Sequence, residues 1–286
     1  MKQDFTLHMH TVGFDGRDTA RTMLEYARKL GFKTVGFSNH FIVHPDIHRS
    51  KMYGIALAKG YGNIYSRSFD EAVEKFKPHY EELSRLQQDN PDIRILRGME
   101  VDFFNTPQWH DGFAQSCEIL RPDYTIGASH FVEYGDFICN VHDMADADKS
   151  TCDKMLSIYW GNMLKLVESN LFNWIAHLDL PRKRNLGTHK KWHAIQEDVV
   201  AAAANNKLPV EINTSGYHID HKQPYPCNDI QKMLALYHVP VLFSDDAHNF
   251  AQIGGLFDIA KNSTELNGIK NFASLQKILD FYGKRR

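Results

Sequence analysis

Apolar and polar residues alternate through residues 4–10, with Phe5, Leu7 and Met9 set against Asp4, Thr6, His8 and His10. This period of two predicts a short strand whose two histidines share one side at its carboxyl end. Thr11 to Gly16 reads as a glycine-containing loop, and Asp18 or Thr19 as the cap of a helix that runs to Leu30 and stops at Gly31. A second strand is predicted over 33–40, ending on His40. From 41 to 68 the period fails, with Pro45, Gly54, Gly60 and Gly62 interrupting it, so a long loop or inserted subregion is expected there. Helical spacing returns over 69–88 (Phe69, Val73, Phe76, Tyr80, Leu83, Leu86) and leads through Asn90-Pro91 into a strand over 93–103. Further strands are predicted over 124–130, 172–177, 209–213 and 240–245, and helices around 154–169, 192–206, 228–236 and 273–281. Seven strands, most followed by a helix, describe an α/β chain with a parallel sheet. No composition shift marks a linker, so residues 1–286 are expected to form one domain.

Composition narrows the function classes. The 33 Lys+Arg against 35 Asp+Glu include no like-charge block, and no basic stripe with interleaved aromatics suggests a nucleic-acid track. No stretch approaches the roughly 18 apolar residues of a membrane span, and the first strand begins without an apolar leader. A cytoplasmic protein with no membrane or nucleic-acid partner is therefore expected, its oligomeric state open. Cys117, Cys139, Cys152 and Cys227 lack metal-site spacing and scaffold density, and read as reduced thiols.

Histidine is the unusual residue, with 16 in the chain. His8, His10, His40, Glu100, His130, His177, Asp246 and His248 all fall at or just after the carboxyl ends of predicted strands, where parallel α/β barrels build their sites. Glu100 sits between Met99 and Val101 in a mostly apolar run, unlike a solvated carboxylate. Histidines and carboxylates without cysteine suit Zn, Mn or Fe with positions left open. These are more ligands than one ion needs. Two or three divalent ions fit better, and such sites suit phosphoester chemistry because metals stabilise both the attacking and the leaving oxygen.

These residues carry a resemblance. His8-Met9-His10, Ser38-Asn39-His40, Gly98-Met99-Glu100-Val101-Asp102, His130, Ala176-His177-Leu178-Asp179 and Asp246-Ala247-His248 resemble, in order and over nearly the whole chain, the motifs of the PHP (polymerase and histidinol phosphatase) superfamily. Within it, Asp179-Leu180-Pro181-Arg182-Lys183, the run Glu211 to Gly216 and Pro224-Tyr225-Pro226 are most similar to segments of the histidinol-phosphate phosphatases. The resemblance implies a distorted (β/α)7 TIM-like barrel with a trinuclear site at the carboxyl ends of its strands. It implies hydrolysis of L-histidinol phosphate, a small phosphorylated substrate, or alternatively of another phosphomonoester or a phosphodiester. Carried over, His8, His10, Glu100 and Asp246 would hold one ion. Glu100 would bridge to a second on His130 and His177, and His40, His248 and Asp15 would hold the third.

Arg182, His218 and Asp246 are the expected catalytic residues. Arg182 follows the His177 strand and offers a bidentate fork to phosphate; beside it, Lys183 and Arg184 also suit a solvated basic loop. His218 stands near where the phosphatases usually have a basic residue and could contact phosphate or protonate the leaving alkoxide. Asp245 replaces the family's common serine before Asp246. Loop residues His44, His48, His110, His142 and His221 are candidates for substrate contact, while His79, His189, His193 and His238 receive no role. An amidohydrolase-type barrel also begins with His-x-His, but no bridging lysine stands at a suitable strand end. A metal-dependent binding protein without turnover is the remaining alternative class.

Overall fold

The computed structural model describes residues 3–188, 190–219 and 222–283, the last three by backbone alone. His189 and His221 lie outside the described residues. In chain order the strands are β1 (Phe5–Thr6), β2 (Thr34–Phe37), β3 (His40–Val43), β4 (Tyr65–Ser66), β5 (Arg94–Asp102), β6 (Tyr124–Ala128), β7 (Phe131–Tyr134), β8 (Phe137–Asn140), β9 (Trp174–Ile175), β10 (Val210–Asn213) and β11 (Val241–Ser244). The helices are α1 (Ala20–Lys29), α2 (Lys51–Ala58), α3 (Phe69–Asp89), α4 (Pro107–Leu120), α5 (Lys149–Ser169), α6 (His193–Asn206), α7 (Asn228–Leu236), α8 (Phe257–Leu266) and α9 (Leu275–Gly283).

Seven parallel strands run side by side in the order β1, β2, β5, β6, β9, β10, β11. Closure comes from a parallel bridge between Met9 and Ala247, in which His10 N–H donates to the Ala247 carbonyl at 2.9 Å and Ala247 N–H to the His8 carbonyl at 3.0 Å. The result is a nearly closed, distorted TIM-like barrel. The closing bridge also ties His8–His10 to the Asp246–His248 segment, so backbone pairing alone brings two distant histidine motifs together.

Local signals set the helix starts. Thr19, not Asp18, caps α1, its hydroxyl accepting from Thr22 N–H; Ser68 caps α3 with Asp70 and Glu71 in the first turn; Thr106 caps α4 with Pro107 at its first position. Apolar side chains divide into two bodies. Phe5, Leu7, Leu96, Tyr124, Ile126, Trp174 and Leu242 fill the barrel, where Ile278 of α9 joins them, and the larger cluster lies between strands and helices. Met9 belongs to the outer cluster, so it leaves the face shared by Phe5 and Leu7. The regular strand ends at Thr6, and the predicted alternation over 4–10 does not persist to its end.

Residues 41–68 are not a structureless loop. They form β3, α2 and β4, with β3 and β4 paired at Ile42–Tyr65 and Val43–Ser66. Only Ala56 of α2 is buried and Gly54 lies within it, so no apolar stripe announces this helix. Two other helices were not anticipated. α4 buries Trp109, Phe113, Cys117 and Leu120 at helical spacing, a signal that was present, whereas α8 buries only Ala260 and Thr264 while Leu266 is 89% exposed. No disulfide forms, and no helix is long and apolar enough to cross a membrane, among the described residues.

Candidate metal centre

Eight side chains, from strand ends and from the loop that holds Asp15, gather around Glu100, a buried carboxylate near the end of β5. Its Oε1 lies 2.8 Å from His177 Nε2 and 3.5 Å from both His8 Nε2 and His130 Nε2. Its Oε2 lies 2.7 Å from His40 Nδ1 and 3.6 Å from His10 Nε2. Two aspartates flank it. Asp246 Oδ1 is 3.1 Å from His10 Nε2 and 3.5 Å from His8 Nε2; Asp15 Oδ2 is 3.1 Å from His40 Nε2 and 3.2 Å from His248 Nε2. His40 does not end a strand as expected. It opens β3, registered directly against Glu100, because the chain bends at Ser38-Asn39 after β2. Asp15 reaches the centre because the next residue is glycine: a Cβ on Gly16 would stand 2.3 Å from the His10 carbonyl oxygen.

Surrounding acceptors fix which nitrogen each histidine presents. His8 Nδ1 donates to Glu211 at 2.9 Å, His130 Nδ1 to Asp102 at 2.8 Å and His248 Nδ1 to the Asp246 carbonyl at 2.9 Å. These oxygens can only accept, so each Nδ1 carries the proton and each Nε2 turns its lone pair toward the carboxylates. Metal-ligating histidines are held in this way. The donor set also fits cations by what it lacks. His8 Nε2, both ring nitrogens of His10, His40 Nδ1, Asp15 Oδ1 and Glu100 Oε2 are buried without a hydrogen-bond partner, an arrangement that folded chains avoid unless something else satisfies the atoms.

Ligand atoms fall within 4.8 Å of one another in three groups: His8, His10 and Asp246; His40, Glu100 and His130; His10, Asp15, His40 and His248. These groups share members with the partition expected from the family motifs without reproducing it, since His10 and His40 each serve two. On His8, Asp15, His40, Glu100 and Asp246 burial opposes charge, yet their mutual fields prevail. Asp15, Glu100 and Asp246 are held well below the usual carboxylate range by the imidazoles, and His8 and His40 are raised by the carboxylates around them. Protons and metal ions compete for the same nitrogens.

Sequence reasoning missed the residues that hold the ligands. Glu211, fully buried in β10, accepts four hydrogen bonds: from His177 N–H at 2.9 Å and Asn213 Nδ2 at 2.7 Å on Oε1, and from His8 Nδ1 and Trp174 Nε1 on Oε2. Asp102 clamps His130 through both backbone N–H and Nδ1. Both signals were available, because each carboxylate lies in an apolar strand as Glu100 does. His79 also has a structural part. Burial pushes it down to about 4, so its ring is neutral and lies 3.0 Å from Asn39 Nδ2, while Asn39 Oδ1 accepts from Thr11 N–H at 2.8 Å. Glu211→Gln supplies a sharp test, because an amide can accept at only one of its two atoms where all four neighbours donate. Metal affinity or turnover should fall by about 10- to 100-fold, measured by metal titration and steady-state kinetics; an unaffected variant would remove Glu211 from the support of His8.

The centre opens into a cavity of about 470 Å3, with Arg17, Lys59 and Lys183 contributing cations to its wall and α2 contributing Met52 and Ile55. Arg182 is not among its lining residues, which corrects its expected place. Its guanidinium is held by Asp179 Oδ2 at 3.1 Å and the carbonyls of Gln223 and Pro224, and lies 4.7 Å from the Tyr225 ring centre. Lys183 faces the cavity instead. His218 stands exposed at the end of the turn Thr214–His218, away from the lining. Asp245 meets Thr6 Oγ1 at 3.0 Å and Gly254 N–H at 2.7 Å, and burial pushes it up to about 7. Among the loop histidines, His142 lines the cavity and is pushed down to about 4 by burial and by Lys183 and Arg184. His44 meets Glu133, His48 the Pro45 carbonyl and His110 Asn105.

Comparison with known proteins agrees with this architecture. The family model described as PHP domain matches residues 6–215. A relative named probable histidinol-phosphatase from Deinococcus radiodurans is 26% identical over 213 residues, 71% of this chain and 77% of that protein. One of the same name from Schizosaccharomyces pombe is 23% identical over 274 residues, 89% and 83% respectively. The crystal structure of a histidinol phosphate phosphatase from Lactococcus lactis, complexed with zinc, L-histidinol and phosphate, superposes with a TM-score of 0.69 at 17% identity. That alignment covers 96% of this chain and 98% of that one.

Proposed function

Since the chain belongs to the PHP domain family, we propose that it is a metal-dependent phosphatase that hydrolyses L-histidinol phosphate to L-histidinol and phosphate, as a cytoplasmic step of histidine biosynthesis. The observation that carries this reading is the convergence of His8, His10, Asp15, His40, Glu100, His130, His177, Asp246 and His248 on one buried cluster at the barrel mouth. These residues would hold two or three divalent ions, Zn, Mn or Fe. When bound, such ions draw charge from the phosphoryl oxygens and lower the pKa of water.

The chain's own residues do the rest. Glu211, Asp102 and the Asp246 carbonyl keep His8, His130 and His248 in one tautomer, so the ligand field is set before substrate arrives. Lys183 and Arg17 in the cavity wall would draw in the phosphoryl group, and the neutral His142 could accept a hydrogen bond from the alcohol being released. Three cations in one wall favour, as a second reading, an ester carrying further negative charge.

Assay of L-histidinol phosphate, p-nitrophenyl phosphate, a sugar bisphosphate and a dinucleotide, with metal content measured on the same sample, decides between them. Preference for L-histidinol phosphate is the expected result, and bound metal with no hydrolysis of any ester would defeat the enzyme reading. Lys183→Ala should raise KM about tenfold with kcat little changed. An unaltered KM would take Lys183 out of phosphate binding.

A further inference from the structure

Lys75 of α3 stands four residues after Glu71, and its ammonium meets Glu71 Oε1 at 2.6 Å, as an ordinary pair on a helix surface would. The same ammonium also reaches out of the helix. It donates to the Tyr65 carbonyl at 2.7 Å and the Gly62 carbonyl at 3.2 Å, with Ser66 Oγ further off at 3.4 Å. Its three N–H groups are thus divided between one carboxylate and two main-chain oxygens, which lie on either side of the passage from the turn Gly62–Ile64 into β4. Ahead of β4 the other backbone bonds of this segment run back into α2 or into itself: Gly60 N–H donates to Leu57, Tyr61 N–H to Ala56 and Ile64 N–H to Tyr61. Lys75 therefore ties the segment to α3.

What Lys75 holds is a wall of the metal cavity. Tyr61, Ile64 and Tyr65 line that cavity beside Met52 and Ile55 of α2, whereas Lys75 does not line it, and none of its four acceptors is a proposed metal ligand. The Tyr65 ring is fixed separately, between Phe131 of β7 at 5.7 Å, edge to face, and Tyr53 of α2 at 5.9 Å between centres. Its carbonyl is left to Lys75. We propose that Lys75 is a positioning residue for the reaction, its bonds to the Gly62 and Tyr65 carbonyls holding the apolar and aromatic wall against which the alcohol part of the ester lies. This rests on the hydrolase reading above, which gives the phosphoryl group to the metal centre and leaves that wall to the alcohol. Bonds from a charged donor are the strong kind, so one side chain outside the cavity can set the shape of its wall.

The test compares Lys75→Met, Lys75→Arg and Glu71→Gln in the full, metal-loaded chain. The Lys75 side chain is 21% exposed, so methionine is accommodated, and Lys75→Gln is a second variant that also lacks the charge. In Lys75→Met the KM for L-histidinol phosphate is expected to rise about tenfold, while metal content and the inhibition constant of inorganic phosphate, which needs the metal centre alone, stay unchanged. Lys75→Arg should recover most of the loss, and Glu71→Gln, which spares the carbonyl bonds, should stay near the unaltered chain. Hydrogen exchange over residues 60–66 should quicken about tenfold in Lys75→Met and not elsewhere. An unchanged KM in Lys75→Met would overturn the proposal; so would an equal weakening of phosphate, which would mean support of the whole site, or an equal effect of Glu71→Gln, which would mean a helix ion pair only. Exchange is read without turnover. A chain that hydrolyses no ester would therefore defeat the phosphatase reading, whereas unaltered exchange over 60–66 in Lys75→Met would defeat the clamp itself.

Discussion

Glu100→Ala should leave a folded protein with at least one equivalent less bound metal and with hydrolysis reduced by about 1,000-fold or more, beyond the roughly 100-fold expected for losing a supporting residue such as Glu211. The reason is its position. One carboxylate, 1% exposed, stands between 2.7 and 3.6 Å from ligand nitrogens of five histidines, and neither Asp15 nor Asp246 pairs with His130 or His177. Asp246 reaches His8, His10 and His248, while Asp15 reaches His10, His40 and His248. Without Glu100 the ligand field therefore divides into parts that no carboxylate joins. In the metal-free protein the same change leaves imidazoles without their counter-charge, and breaking a buried pair in this way costs about 3–5 kcal/mol. Glu100→Gln separates the two effects, since it preserves volume and an acceptor for His177 but carries no charge. Metal content by mass spectrometry, circular dichroism and turnover are to be measured on one preparation. Full metal together with full activity in the Gln variant would dismantle the shared-ligand account.

How legible this was in the sequence depended on what each residue's role required. The barrel strands could be located because strands covered on both faces read as apolar runs between turn signals, and their carboxyl ends carried polar residues that no core would explain. The same reasoning that marked Glu100 applies to Glu211 between Val210 and Ile212, so its omission was a failure of application rather than of signal. Arg182 and Lys183 are a different matter. They are neighbours on a single turn, and which one faces the metal cavity depends on how that turn is rotated against Tyr225 and Asp179. No periodicity in five residues records that rotation. His40 was found for the right chemistry in the wrong local setting, because the bend at Ser38-Asn39 that starts a new strand is stabilised by distant partners, Thr11 and His79. Helix α2 left no trace for a related reason, since it covers the cavity with one buried residue and packs little of itself into the core.

The second large effect concerns the barrel interior beneath the site. Gly98→Ala should destabilise the fold by about 3 kcal/mol, lowering Tm by roughly 6–12 °C for a chain of this size. A Cβ at Gly98 would stand 2.1 Å from Tyr124 Cζ and 2.3 Å from Cε2, far inside van der Waals contact. Tyr124 cannot withdraw. It is fully buried, stacks on Trp174 with ring centres 5.0 Å apart, and donates its hydroxyl to the Leu7 carbonyl, one residue before His8. Backbone conformation offers no competing explanation, because Gly98 is not in the left-handed region that favours glycine. The clash and the site are thus mechanically linked: moving Tyr124 disturbs the segment that presents the first two ligands, and activity should fall together with stability. A double-mutant cycle isolates the cause. Tyr124→Leu alone leaves a void and is itself destabilising, but in that background Gly98→Ala should cost little, because the atoms it would strike are gone. Thermal unfolding of the four proteins measures the coupling, and an equal cost of Gly98→Ala with and without the Tyr124 ring would show that the glycine serves something other than space for this tyrosine.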